Sequence, residues 1–224
     1  MPVSIEGIQH VPLFSSLARE DLEQVAAQTI ERQYERDDLI LLEGEVGGGL
    51  HYVQTGLAKV FKTSLKGKEQ VLRLIAPGYT FNDVPAIDGG PNPASAAAME
   101  TSTIYIISHQ ELLKLMRTRP EVANAVIKTF AHALRHMVAL VEDLSLRQVT
   151  GRVARLLLDQ HALQLQGKGH SRMLTQQEMA AMVGTAREVV GRSLKELETA
   201  GAITMQHGRV IVLHRDRLQL LASE

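Results

Sequence analysis

The chain has 224 residues, no cysteine, and 24 Lys+Arg against 25 Asp+Glu, a formal net charge of −1. The missing thiols exclude disulfides, thiolate zinc fingers, cysteine-ligated iron–sulfur clusters and a thiol nucleophile. A composition 45% hydrophobic and 22% charged is that of a water-soluble globular protein, and with 4% aromatics and no Trp its core must be aliphatic.

The opening residues, Met1 to Glu6, lack a basic region followed by an apolar run. No stretch approaches about 18 uninterrupted apolar residues, so no membrane partner is expected and the reading is cytoplasmic. The first 30 residues read as helical, with Leu13, Leu17, Leu22 and Val25 near helical spacing and Ser16 and Glu20 as start signals. From Ile30 the rhythm changes to short apolar runs cut by turns. These runs are 39–42, 50–54, 57–61, 71–75 and 103–107, a pattern that predicts a β-barrel or sandwich. Asp88-Gly89-Gly90-Pro91-Asn92-Pro93 must be a loop, because proline cannot donate to a sheet ladder.

A long helix is predicted over 121–146. With Phe130 at heptad position a, Ala123, Phe130, Met137 and Leu144 form one apolar row. Val126, Ala133 and Leu140 form a second at d, and Ile127, Leu134 and Val141 a third at e. Such a stripe suits either a helix buried on its own domain or a parallel homodimer. The dimer is the expectation, with Phe130, Ala133, Met137, Leu140 and Leu144 at its interface. Another helix follows over 152–165, ending at a Gly167-Lys168-Gly169 loop. From Arg147 onward there are 11 Lys+Arg and 7 Asp+Glu, net +4, whereas the first 146 residues carry net −5. A basic back half points to an anionic partner.

Thr175-Gln176-Gln177-Glu178 has the form of a capping box, and its helix stops at Gly184. Thr185-Ala186-Arg187-Glu188 has the form of a second box, opening a helix that runs to Thr199 before Gly201. Two short helices across one glycine turn make a helix-turn-helix. Ala180 permits close approach, Gly184 permits the turn, and Val190 fills the space between. The second helix turns Val190, Leu194 and Leu197 inward and Arg187, Glu188, Gly191, Arg192 and Lys195 outward. Arg suits the paired acceptors of guanine and Glu the amino group of cytosine. The bland alternative is a solvated face with a Glu188–Arg192 pair. Segments 202–206 and 210–214 around His207-Gly208-Arg209 read as a hairpin wing. Thr175, Gln176, Thr185, Arg187, Glu188, Arg192, Lys195 and Arg209 are the candidate DNA contacts, and double-stranded DNA the expected partner. No paired catalytic carboxylates, nucleophile elbow or phosphate loop with a lysine occur, so an enzyme is not expected.

Glu43-Gly44-Glu45, Tyr52-Val53-Gln54-Thr55-Gly56, Pro77-Gly78-Tyr79-Thr80-Phe81, Val149-Thr150-Gly151-Arg152 and above all Leu174 through Glu198 resemble the cyclic-AMP receptor protein / fumarate–nitrate regulator (CRP/FNR) family of transcription factors. The resemblance implies an α+β protein of three parts. These are a jelly-roll sensor over 1–120, a dimerisation helix over 121–146 and a winged helix-turn-helix domain over 147–224. It also implies that Arg187, Glu188 and Arg192 read a TGTGA-type half-site, and it makes RNA polymerase a partner through the 164–170 loop.

The family's nucleotide pattern fails here. Its phosphate-binding stretch is matched by Asn82-Asp83-Val84, its Arg-Ser pair by Pro93-Ala94, and its adenine-binding Thr and Ser by Met137 and Val138. Pro93 has neither charge nor N–H, so cyclic AMP is not expected to bind in the usual mode. A divergent cyclic-nucleotide pocket is one alternative. Another is a heme gas sensor, for which Pro2 is in place but Val84 stands where the resemblance asks for His. His132 and His136 have ligand spacing but lie outside the apolar stripe, and His51 reads as a barrel histidine. No cofactor is evident. Phe81, Asp83, Val84, Pro93, Ala94, Phe130, Leu134, Met137 and Val138 outline an effector pocket, which either takes a non-nucleotide small molecule or is filled by its own side chains.

Overall fold

The computed structural model describes residues 3–165, 174–206 and 209–223. They form two compact units, Met1–Lys62 with Leu72–Arg135, and Thr63–Val71 with His136–Glu224.

The first unit opens with α1 (Ile5–Gln9), capped by the Ser4 hydroxyl accepting from the Gly7 amide at 3.0 Å, and α2 (Arg19–Gln28). The single helical reading of the first 30 residues is corrected here. Leu13, in a turn, and Leu17, in the irregular link before α2, lie between the helices yet are buried, and α2 starts after Ala18 with no side-chain cap, so Ser16 is not its start signal. Burial alone produced the apparent period. The strands are β1 (Ile30–Tyr34), β2 (Leu39–Leu41), β3 (Leu50–Thr55), β4 (Ala58–Thr63), β5 (Glu69–Ile75) and β6 (Thr80–Phe81). After α3 (Asp83–Asp88) come β7 (Ser95–Ala98) and β8 (Ser102–Ile107).

They assemble as two four-stranded sheets, β1-β8-β3-β6 and β2-β7-β4-β5, the jelly-roll arrangement. Val53, Phe81 and Ile104 from one sheet and Ala58, Ile75 and Ala96 from the other share one buried cluster. Strands β1 and β7 have no clear signal in the sequence. β1 is mostly exposed and polar, and β7 is Ser-Ala-Ala-Ala, buried throughout but weak in β propensity.

Next come α4 (His109–Thr118), N-capped by Ser108, and α5 (Pro120–Leu146). Val122 and Val126 of α5 are buried in a second cluster with α1, α2, α4 and residues of β3 and β8, and Phe130 packs against it. Arg119 ties α2 to this layer through two 2.7 Å bonds to the Asp21 carboxylate.

The second unit holds α6 (Val149–Leu165), α7 (Gln176–Val183), α8 (Arg187–Thr199), β9 (Ile203–Gln206), β10 (Arg209–Val212) and α9 (Arg215–Leu221). Strands β9 and β10 pair antiparallel. One aliphatic cluster joins Val153, Ala154 and Leu157 of α6 to Met179, Ala180 and Val183 of α7 and to Val190, Leu194 and Leu197 of α8, with Leu218 of α9 closing it. The expected Gly167-Lys168-Gly169 loop, most of 164–170, and the His207-Gly208 wing tip lie outside the described residues.

His51 is 3% exposed; its Nδ1 pairs with the Gly49 carbonyl at 2.9 Å and its ring lies 5.1 Å from that of Phe81. Burial, partly offset by the Gly49 bond, lowers its pKa from 6.5 to about 4. The folded state therefore holds fewer protons than the unfolded one between these values. This stability is present above pH 6.5 and is lost as pH falls toward 4, about 3 kcal/mol over the full window. Urea titrations above pH 6.5 and again near pH 4 should show the loss, and His51→Gln, which cannot titrate, should flatten that part of the pH dependence.

Candidate nucleic-acid interface and effector pocket

Helix α7 is fixed at both ends by local chemistry. Glu178 N donates to Thr175 Oγ1 at 3.2 Å and Thr175 N donates to Glu178 Oε2 at 2.6 Å, completing the capping box. Gly184 closes the helix in the left-handed region, at φ 73° and ψ 37°, its amide bonding back to Ala180 O. Thr185 N also bonds Ala180 O, at 3.0 Å, so Thr185 still belongs to the turn. The second capping box therefore does not form. Ala186 is the N-cap of α8, no side chain caps its first-turn amides, and Thr185 is one residue too early to do so.

Across α8, Val190, Ser193, Leu194 and Leu197 are buried, while Arg187, Glu188, Arg192 and Lys195 are exposed. Glu188 and Arg192 form no ion pair with each other, and both side chains face solvent. Thr175 and Arg209 are exposed or half-buried at the surface, as are Gln176 and Thr185. Gln176 lies over α8, where a Cβ on Gly191 would stand 3.6 Å from its Oε1.

The back of α8 is held by residues that the sequence marks only as parts of a motif. Thr150 Oγ1 donates to Glu196 Oε2 at 2.6 Å and lies 3.0 Å from Ser193 Oγ, whose own hydroxyl can donate back to it. Arg152 Nε donates to Val183 O at 2.8 Å and Arg152 Nη1 to Arg147 O at 2.9 Å. Asp143 pairs with Arg147 at 2.7 Å and Arg155 at 3.3 Å. Ser193 and Glu196 lie inside the 174–198 motif, but their bonding to Thr150 has no sign in the sequence, because a buried serine on a helix looks like any other.

A small cavity in the first unit is lined by Leu13, Leu50, Asp83, Ile87, Leu112, Val126, Thr129 and Phe130. It leaves about 10 Å³ for the centre of a water-sized sphere, room for roughly one water. Of the nine residues expected to outline a pocket, Asp83 and Phe130 meet there. Phe81 instead fills the sandwich core, because β6 is two residues long and points it inward. Val84 is 45% exposed on α3, Leu134 is 67% exposed, and Ala94 is buried away from the cavity. Pro93 is exposed, with its carbonyl accepting from Lys62 Nζ at 3.1 Å. Met137 and Val138 belong to the second unit.

Asp83 accepts from Thr80 Oγ1 at 2.9 Å and lies 3.9 Å from Arg73 Nη1. Burial raises its pKa, and Thr80 and Arg73 oppose the rise. Thr129 and Arg73 escape a sequence reading because each is a single polar residue in an apolar period. Among the described residues no group of three His, Asp or Glu side chains is placed to hold a metal, and His132 and His136 are exposed. No described helix is long and apolar enough to cross a membrane.

Residues 31–119 match the cyclic nucleotide-binding domain family and residues 151–221 the Crp-like helix-turn-helix domain. The chain is 32% identical over 211 residues to the cyclic AMP receptor protein of Thermus thermophilus, covering 94% of this chain and 96% of that protein. It is 28% identical over 201 residues to a CRP-like cAMP-activated global transcriptional regulator of Mycobacterium tuberculosis, covering 87% and 90%. Among solved structures, a transcriptional regulator of the CRP/FNR family from Eubacterium rectale superposes with TM-score 0.78 at 20% identity, covering 96% of this chain and all of that one. The Thermus thermophilus catabolite activator protein matches at 0.53 and 32%, covering 95% and 98%. With the helix-turn-helix built as described and these likenesses spanning nearly the whole chain, the protein belongs to the CRP/FNR family of DNA-binding transcription regulators.

Proposed function

We propose that the protein is a homodimeric regulator that reads a pseudo-palindromic site with TGTGA-like half-sites. The observation that carries this is the outer face of α8. Arg187, Glu188, Arg192 and Lys195 are exposed and, among the described residues, joined by no ion pair, while the inner face is buried. Unpaired guanidinium groups at the N-terminal half of a recognition helix suit base edges in the major groove. The uncapped first-turn amides of α8 suit a phosphate, as do Thr175, Gln176, Thr185 and, on the wing, Arg209.

Support for the dimer comes from α5. Ile127, Leu134, Val138 and Val141 are 63%, 67%, 61% and 64% exposed, an apolar row left open in the single chain. A second copy of this helix would bury it, with Ala133, Met137, Leu140 and Leu144 flanking. Phe130 packs on its own core and contributes least to that seam.

Relatives named for cyclic AMP make that nucleotide the first effector to weigh. In this chain Pro93 and Ala94 stand where an Arg-Ser pair would hold the phosphate, and Arg73 already faces Asp83. The reading is a sensor that does not use cyclic AMP in that mode, acting in the cytoplasm with RNA polymerase as a further partner.

Arg187→Ala and Arg192→Ala should each weaken preference for guanine-containing half-sites by about 1–3 kcal/mol per base contact in a binding selection. Unchanged preference in both variants would overturn the reading. Leu134→Glu with Val138→Glu should yield monomers by light scattering, with DNA affinity lost alongside. Saturating cyclic AMP should leave site affinity unchanged in an anisotropy titration, and heat release on adding the nucleotide should be absent by calorimetry.

A further inference from the structure

The segment Thr63–Val71, made of the last residue of β4, the turn and the start of β5, groups with the DNA-binding unit. Its contacts there are specific. Gln70 Nε2 donates to Met182 O at 3.3 Å and Lys68 Nζ to Gly184 O at 3.4 Å. Between them Arg152 Nε holds Val183 O at 2.8 Å. Three successive carbonyls at the end of α7 thus each receive a side-chain donor. The last carbonyls of a helix have no partner within it and carry its negative dipole end, so amide, guanidinium and ammonium donors are the matching chemistry. The fit is close: a Cβ on Gly184 would stand 2.7 Å from Gln70 Oε1 and 2.8 Å from Leu144 Cδ2.

Only Thr185 and Ala186 separate Gly184 from Arg187, the first residue of α8. We infer that Gln70 and Lys68 are positioning residues for DNA recognition: the 63–71 segment caps α7 and so fixes the direction in which α8 presents Arg187 and Arg192. This rests on the reading of α8 as the recognition helix. A dimer must place two such helices about one helical turn of DNA apart, so orientation is worth affinity at the specific site. Non-specific binding follows phosphate charge and needs no such orientation.

The test uses the full chain and two duplexes, one with TGTGA-type half-sites and one scrambled, read by fluorescence anisotropy. Gln70→Met with Lys68→Met removes both donors at nearly constant volume. Lys66→Met makes the same charge change on a neighbouring lysine of the same segment. The double variant should lose roughly tenfold in specific affinity relative to Lys66→Met, the scale of one or two net hydrogen bonds. Its scrambled-duplex affinity and melting midpoint should match Lys66→Met, and Lys68→Arg, which keeps a donor, should bind as the parent does. Equal specific affinity in the double variant and Lys66→Met overturns the inference. So does tighter binding, which would make the segment a restraint, and so does a collapsed melting midpoint, which would make the two side chains structural. An Arg187→Ala variant that keeps full preference, beside a double variant that loses it, overturns the assignment of Arg187 and leaves the segment's role standing.

Discussion

The DNA-binding unit depends on one backbone torsion. Gly184 sits at φ 73°, where a β-carbon would be strained, and there α7 stops and the chain turns into α8. From that turn follows the packing of Ala180 and Val183 against Val190 and Leu194, all buried, and from the packing follows the outward face that carries the arginines. The same glycine lets the turn seat against Gln70 and Leu144, closer than any side chain would allow. One residue therefore answers two separate demands, a torsion and a contact.

Behind α8 lies a polar network rather than more core. Asp143 near the end of α5 pairs with Arg147 and with Arg155 of α6. Arg147 also donates to the Ala222 carbonyl, and Thr150 reaches Ser193 and Glu196 of α8. Half-buried ion pairs and hydroxyl bonds add modest net stability but hold specific geometry, since a displaced partner leaves a desolvated group unpaired. Joints between helices that must keep one angle are where such groups are useful. The aliphatic cluster supplies the burial and the network supplies the direction.

The jelly-roll unit solves a different problem. Its second sheet brings the all-buried run Ser95–Ala98 between β2 and β4, where small side chains leave room for Phe81 and Ile104 from the opposite sheet. The space between the sheet and α5 is filled by leucines, Val126 and Phe130, down to a single-water void beside Asp83. Arg73 faces this carboxylate, so a basic group beside the cavity is already engaged by an internal anion.

The nearly neutral total charge conceals an acidic front and a basic back, and that division is plain from the order of the residues. So are the helix-turn-helix, the long helix and most strands, because periodicity, glycine stops and the Thr175 capping box are local signals. Residue identity by itself determined that no thiol chemistry is available and that Pro93 supplies no phosphate donor. Tertiary structure decided the rest. It replaced the second capping box with an uncapped Ala186, since the Ala180 carbonyl claimed the Thr185 amide. It moved Phe81 and Val84 out of the expected pocket, since a two-residue strand and the start of α3 set their faces. It brought Gln70 and Lys68 to carbonyls more than 110 positions away, a pairing with no local trace. Signals within one turn or strand are written in neighbouring residues; which distant group satisfies a helix end depends on where the folded chain brings donors.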